Sequence, residues 1–302
     1  MSAFEVAWIG WALGSGLYWL YVAYAGWRSR GALTPLARVE PPAPPRWPSV
    51  SLVVPARDEE SELEGAVRSR LEDHYPALEV IVVDDRSRDA TGAVADALAE
   101  QDARVRVVHV TTLPEGWLGK NHALHLGAQS ASGEWLLFSD ADVHFRGGAL
   151  RRAVAWSEAR GLDDLALVPE LWGTTFWLDV ALAAFGRTFA MSRRVWRVAD
   201  PGSSAAVGVG AFNLVRRSAL ERSEGLPWLA LDVADDVALG LLLKRSGARC
   251  AAALGTGLVG VAWYRDLPAM ARGLEKNTFA VLGCSLPRVL AATGAYLGLE
   301  LG

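Results

Sequence analysis

A repeated alternation of strand-like and helix-like patterns dominates the first half of this 302-residue chain. Short apolar, β-branched runs bounded by Pro, Asp or Gly are typical of buried strands. Between them, apolar residues recur three and four positions apart, which is typical of amphipathic helices. This alternation predicts an α/β domain with a Rossmann-like, mostly parallel sheet flanked by helices. The four strand runs are residues 51–55, 78–83, 105–110 and 134–138.

Acidic residues follow three of these strand runs. They lie at residues 57–60, at Asp84-Asp85 and at Asp140-Ala141-Asp142. Because parallel strands end at one edge of a sheet, these side chains are expected to line one ligand site there. Mg²⁺ or Mn²⁺ takes one or two protein carboxylates together with substrate phosphate oxygens, so Asp140 and Asp142 are the predicted metal ligands. An isolated Asp-x-Asp also occurs in solvated turns.

Three further motifs keep a fixed order with these acidic residues. They are Gly119-Lys120, the glycine-rich segment 208–217, and Asp235-Asp236 before a helical pattern. The whole order resembles the inverting family 2 glycosyltransferases of the GT-A fold, over roughly residues 48–277. An ordered series of this kind is far more specific than any single motif.

Within that family, the chain looks closest to membrane-anchored glycosyltransferases of the hopanoid-associated and carotenoid type. The motifs that carry this likeness are Pro114-x-Gly116-Trp117-x-Gly119-Lys120 and Gly273-x-x-Lys276-Asn277. The resemblance implies a nucleotide-diphosphate sugar donor, with a UDP-sugar as the expected one, and an acceptor that is lipid-like.

The resemblance also implies roles for individual residues. The loop after the first strand borders the nucleobase, Asp85 accepts a hydrogen bond from a uracil-like N3–H, and Lys120 contacts the donor phosphates. A solvated charged loop and an exposed lysine are the structural alternatives. The residues expected to bind the donor are Pro55, Ala56, Arg57, Glu59, Asp85, Lys120 and Asp140.

Asp236 is the predicted catalytic base, because it matches the second acid of the family motif. Asp235 and Asp236 precede a helical pattern, so the helix macrodipole is expected to lower the pKa of one or both carboxylates. A purely structural role at the helix N-terminus is favoured for Asp235.

Several other polar and aromatic residues are expected to be structural. Helix capping is predicted for Ser87, Asp89 and Thr91. Packing or surface positions are favoured over metal binding for His122, His125 and His144. Trp117 is open to two interpretations, stacking on a substrate or packing in the core. The two cysteines, Cys250 and Cys284, are expected to be reduced core thiols.

An uncharged, Trp-rich run extends from Val6 to Trp27. At about 1.5 Å per residue it is long enough to cross a bilayer of about 30 Å. Glu5 precedes this run and Arg28 and Arg30 follow it, so the positive-inside rule places the bulk of the chain in the cytoplasm, at the inner membrane. The predicted divisions are residues 1–30 (anchor), 31–47 (Pro-rich linker), 48–264 (GT-A domain) and 265–302 (partly membrane-embedded segment).

Two other stretches are expected to face the membrane. Leu171–Val198 combines aromatic and basic residues, which favours a helix lying in the headgroup region over an ordinary core helix. The apolar segment 279–302 contains Pro287 and Arg288, and either a partial span or a second anchor fits it. A hydrophobic content of 51% agrees with membrane segments, and a net charge of −4 gives no support to nucleic-acid binding.

The predicted function is therefore metal-dependent, inverting sugar transfer to a lipid-like acceptor at the cytoplasmic membrane face. Two alternatives remain. One is a polyprenyl-phosphate glycosyltransferase, whose acceptor needs no base. The other is a catalytically inactive, membrane-tethered nucleotide-binding or scaffold protein. A processive polysaccharide synthase is disfavoured, since the Gln-x-x-Arg-Trp motif of those enzymes is absent from the sequence.

Overall fold

A computed structural model describes residues 1–281 and 285–300, with the side chains of 276–278, 280 and 281 left out. Its centre is an eight-stranded sheet. In chain order, the strands of this sheet are β1 Thr34–Pro35, β2 Val50–Ala56, β3 Leu78–Asp85, β4 Val105–Val110, β5 Trp135–Phe138, β7 Asp164–Val168, β9 Asn213–Arg216 and β10 Cys250–Leu254. A separate three-stranded sheet contains β6 His144–Phe145, β8 Glu170–Leu171 and β11 Val259–Val261.

The large sheet has the strand order β1-β10-β7-β9-β5-β2-β3-β4. All neighbouring strands are parallel except β9, which runs antiparallel to both β5 and β7. The mixed α/β, mostly parallel sheet predicted from the sequence is therefore confirmed. Of the glycine-rich segment 208–217, Asn213–Arg216 forms strand β9.

Apolar side chains fill both faces of the sheet. Leu52 and Val54 belong to one buried cluster and Val53 to the other, as the alternation of side chains along a strand requires. The helices are α1 Ala3–Ala32, α2 Leu63–Leu71, α3 Thr91–Gln101, α4 Gly119–Ser130, α5 Ala149–Arg160, α6 Phe176–Arg193, α7 Arg217–Glu221, α8 Asp235–Arg245, α9 Leu267–Val281 and α10 Leu286–Glu300. Buried residues of α2, α3 and α5 belong to one of these clusters, and buried residues of α4, α7 and α8 belong to the other.

Helix α1 is long and apolar enough to cross a membrane. Its second half also packs against the rest of the chain: the rings of Tyr21 and Tyr24 lie 6.4 and 6.3 Å from that of Trp196. The segment 31–47, predicted to be a linker, is in part a structured edge of the domain. Thr34–Pro35 pairs with β10, and Leu36 is fully buried in the core.

Helix α6 lies within the stretch predicted to be interfacial. Only Leu178 and Leu182 are buried along it, whereas Phe176 and Trp177 are 70% and 68% exposed. This pattern disfavours the core-helix alternative. Helix α10 lies within the apolar C-terminal stretch, residues 279–302. Trp11 Nε1 of α1 donates a hydrogen bond of 2.9 Å to the Gly298 carbonyl of α10. Cys284 and the side chains of Lys276 and Asn277 lie outside the described residues.

Candidate active site

An ion-paired group lies at the carboxyl edge of the large sheet. Asp140 follows β5, Lys120 lies in the first turn of α4, and Asp235 begins α8. Lys120 Nζ is 2.7 Å from Asp140 Oδ1 and 3.2 Å from Asp235 Oδ2. Burial disfavours the charged ammonium, but the carboxylates of Asp140 and Asp235 outweigh it and raise the pKa of Lys120 well above its usual value. Lys120 is therefore protonated and positively charged at neutral pH.

Gly210 connects Asp140 to Asp236. Its carbonyl accepts a hydrogen bond of 2.9 Å from the Asp140 amide, and its own amide donates one of 3.0 Å to Asp236 Oδ2. A Cβ atom at this position would lie 2.6 Å from Asp140 Oδ2, so a larger residue would displace the Asp140 carboxylate. The predicted metal ligand and the predicted base are thus brought to one site.

Asp236 is held in a defined orientation. Besides the bond from Gly210, its Oδ1 accepts a hydrogen bond of 2.7 Å from the Val237 amide. Burial, followed by repulsion from Asp235, raises the pKa of Asp236 to about 6. The expectation that the helix macrodipole lowers this pKa is therefore wrong for Asp236, because loss of hydration outweighs the dipole. A carboxylate with a pKa near 6 suits a general base at neutral pH.

Asp142 and Glu59 complete an acidic cluster with Asp140. Burial, and then the charge of Asp140, raises the pKa of Asp142. Burial, followed by Asp142 and Asp140, raises the pKa of Glu59 to about 7. Each of these carboxylates therefore lies within the electrostatic reach of Asp140. A divalent cation would relieve their repulsion, and hard carboxylate oxygens are the donors that Mg²⁺ and Mn²⁺ prefer.

Over residues 1–281 and 285–300, no three His, Cys, Asp or Glu side chains are arranged to hold a metal ion by themselves. Asp140 and Asp142 fit a cation that takes its remaining ligands from phosphate and water.

Arg70 was not identified from the sequence, yet it positions the loop that carries Asp140. Its fully buried guanidinium donates to the backbone carbonyls of Asp140 and Val143. Burial lowers the pKa of Arg70 to about 10, so it remains charged at neutral pH. The sequence spacing could have indicated that Arg70 is buried, because it lies seven positions after Leu63 and three after Val67, on the apolar face of α2.

Asp85 ends β3 and is 3% exposed. The guanidinium of Arg86 binds both of its carboxylate oxygens, at 2.8 and 3.0 Å, and Arg57 Nη1 lies 3.9 Å away. A Cβ atom at Gly119 would overlap the Asp85 carboxylate, so α4 begins directly against this residue. Pro55 and Ala56, also predicted to border the donor, lie at the end of the neighbouring strand β2.

The three residues predicted to cap α3 instead connect the start of α3 to the loop that follows β2. The N-cap residue of α3 is Ala90, and its side chain makes no capping hydrogen bond. Ser87, Asp89 and Thr91 accept hydrogen bonds from the backbone amides of Asp58, Glu60 and Glu59 respectively. Asp89 also accepts one from the Thr91 amide. These residues therefore fix the loop that carries Glu59, a structural role that differs from simple capping.

The histidines pack against aromatic side chains. Trp117 lies 5.5 Å from the His122 ring and 5.0 Å from the His125 ring, which favours the packing interpretation of Trp117. His144 contacts Trp172 at 5.8 Å. Cys250 is a buried free thiol, in agreement with the core position expected for it.

Comparison with known proteins agrees with the family resemblance that the sequence motifs indicate. Residues 51–223 match the model of the family described as Glycosyl transferase family 2. The 4,4'-diaponeurosporenoate glycosyltransferase of Staphylococcus aureus is 24% identical over 252 residues, which are 82% of this chain and 66% of that protein. The beta-monoglucosyldiacylglycerol synthase of Synechocystis is 28% identical over 249 residues, or 75% of this chain and 49% of that protein.

A solved structure shares the fold. The mannosyltransferase PcManGT of Pyrobaculum calidifontis, in complex with GDP-Man and Mn²⁺, superposes with a TM-score of 0.58 at 22% identity, covering 95% of this chain and 90% of that one. The chain therefore has the architecture of that enzyme, while it spans about two thirds or less of the curated relatives named above.

Proposed function

This chain belongs to glycosyl transferase family 2, and from that premise we propose that it transfers a sugar from a nucleotide-diphosphate sugar, with UDP as the expected nucleotide, to a lipid-like hydroxyl acceptor. The observation that supports the proposal is the joining of Asp140 and Asp236 through Gly210, since a metal ligand and a base would then act at the same site. Acidic side chains without an adjacent base would fit a binding protein equally well.

The residues of the site divide into a donor side and an acceptor side. Asp140 and Asp142 would hold Mg²⁺ or Mn²⁺, and a bound cation would offset the negative charge on the diphosphate leaving group. Lys120 would add a second positive charge next to the phosphates. Asp85, with Arg57 and the end of β2, would bind the nucleobase.

On the acceptor side, Asp236 would accept the proton of the attacking hydroxyl at its carboxylate. The hydroxyl oxygen then forms a bond to the anomeric carbon as the bond to the diphosphate oxygen breaks, which inverts the configuration. The hydrogen bonds from Gly210 and Val237 orient the carboxylate, so little reorganisation is needed at the moment of reaction.

A lipid-like acceptor is supported by two observations. Relatives named for diaponeurosporenoate and for diacylglycerol cover most of the chain. Helix α1 is also suited to a membrane, and α6 presents Phe176 and Trp177 on the surface. We propose that α1 anchors the protein, that α6 lies in the headgroup region, and that Arg28 and Arg30 keep the catalytic domain on the cytoplasmic side of the inner membrane.

The position of α6 can be measured by photolabelling the full chain in liposomes that contain a photoactivatable phospholipid. We expect cross-links within residues 176–180, because exposed aromatic side chains favour the membrane interface. Helix α3, at residues 91–101, is the internal control and should stay unlabelled. Labelling of α1 without labelling of α6 would contradict the interfacial position.

The pKa of Asp236 predicts the acid limb of the pH profile. As the pH falls below about 6, Asp236 becomes protonated and can no longer accept a proton, so log kcat/KM should fall with a slope of about one. The measurement is kcat/KM between about pH 5 and pH 8. Glu59→Gln is the control and should keep this limb, although the pKa of Glu59 is raised to about 7. A flat profile down to about pH 5 would exclude Asp236 as the titrating base.

The proposed function is tested by incubating the detergent-solubilised protein with labelled nucleotide sugars, a divalent cation and total lipid extract. We expect one labelled lipid, identified by mass as a glycoside of a hydroxyl lipid. A labelled polyprenyl phosphate would identify the alternative enzyme class. Binding of nucleotide without turnover of any sugar donor would favour the inactive scaffold.

A further inference from the structure

Lys120 contacts one of the two proposed metal ligands directly. Its ammonium lies 2.7 Å from Asp140 Oδ1 and 3.2 Å from Asp235 Oδ2. We propose that Lys120 is a built-in counter-ion that competes with the divalent cation for Asp140, so that the cation enters the site together with the donor diphosphate and not before it. This inference rests on the metal site of the proposed function.

Lys120 and the divalent cation compete for Asp140 because both are positively charged. A divalent cation on Asp140 would lie within a few ångströms of the ammonium, and like charges repel strongly at that distance in a half-buried site. Lys120 must therefore leave Asp140 when the cation binds.

Only the side chain of Lys120 can make this movement. On one side, the Leu118 amide donates a hydrogen bond of 2.8 Å to the Ala230 carbonyl. On the other, the buried Asn121 side chain donates to the carbonyls of Leu229 and Asp232. The backbone of Lys120 is thus fixed to the segment before α8, whereas its four-carbon stem is flexible.

A donor diphosphate resolves the competition. Its oxygens supply ligands to the cation and at the same time offer the ammonium a new anionic partner. Asp235 can keep its contact with the ammonium during this exchange, because it is not one of the two proposed metal ligands. Cation and donor then favour each other's binding, as linkage between two sites requires.

The test measures binding of Mn²⁺ alone to the full-length, detergent-solubilised protein, by the electron paramagnetic resonance signal of free Mn²⁺. Without nucleotide, Lys120→Met and Lys120→Gln should bind Mn²⁺ at least about tenfold more tightly than the parent. Lys120→Arg keeps the charge and should bind like the parent. Arg106→Met removes a positive charge at the start of β4, at the opposite edge of the sheet, and should also bind like the parent.

A gain of affinity cannot arise from a misfolded variant, so the expected result is specific to the counter-ion role. Equal Mn²⁺ affinity of the parent and of both neutral variants would overturn this inference and leave the metal site standing. Failure of every protein to bind Mn²⁺, even with UDP present, would overturn the metal site together with the inference.

Discussion

Asp236→Asn should lower kcat by about 10² to 10⁴, which corresponds to roughly 3 to 5 kcal/mol of transition-state stabilisation. The amide cannot accept the proton of the attacking hydroxyl, whereas the donor is proposed to bind on the side of Asp140 and Lys120. We therefore expect the affinity for UDP to change little. The measurements are single-turnover transfer to a hydroxyl lipid and UDP binding by calorimetry.

Structural damage must be separated from loss of the base. Both Asp236 oxygens accept backbone hydrogen bonds, and the asparagine amide nitrogen can replace neither acceptor, so the variant should also lose about 1 kcal/mol of stability. Asp235→Asn is the matched control. It removes the neighbouring carboxylate and should slow transfer much less. Near-normal transfer by Asp236→Asn to a hydroxyl acceptor would contradict its role and favour an acceptor that arrives ionised, such as a lipid phosphate.

Asp142→Asn should reduce transfer by at least about a hundredfold, since one of the two proposed protein ligands of the cation is lost and metal ions contribute several kcal/mol at such sites. A chelator should inhibit the parent protein to a similar extent, and added Mg²⁺ or Mn²⁺ should restore it. The measurement is the initial rate of transfer at saturating donor.

Glu62→Gln is the control for this variant. Glu62 is exposed, and its charge acts on Glu59 without belonging to the proposed metal site, so this variant should keep nearly full activity. Full transfer by the parent in excess chelator would exclude a metal-dependent mechanism.

The local pattern of the sequence was sufficient for the parallel half of the sheet. Each run from β2 to β4 is apolar and is followed by a turn and a helix, and these three strands are neighbours in the sheet in the same order as in the sequence. The next run, β5, pairs with β2 and not with β4. Strand β9 is different. Its four residues lie far along the chain from both partners, β5 and β7, and nothing in a short segment indicates that it inserts antiparallel between them.

Most residues of the candidate site could be proposed from the sequence, but the contacts between them could not. Asp140, Lys120 and Asp236 were recognised from motifs, whereas the ion pairs of Lys120 depend on the packing of α4 against the start of α8. The direction of the Asp236 pKa was missed for a related reason. The macrodipole can be read from a helix start, but desolvation depends on long-range burial.

Likewise, a Pro-rich composition suggested a linker at residues 31–47, yet Leu36 within it is fully buried. A single apolar side chain in a proline-rich segment gives no pattern from which burial can be inferred.

The anomeric configuration of the product tests the central claim most directly. A base at Asp236 that activates the acceptor for one in-line displacement predicts inversion, so an α-linked UDP-sugar should give only the β-glycoside. The measurement is the proton NMR coupling of the anomeric position in the purified glycolipid. A product that keeps the α configuration would contradict the single displacement and the assignment of Asp236 as its base.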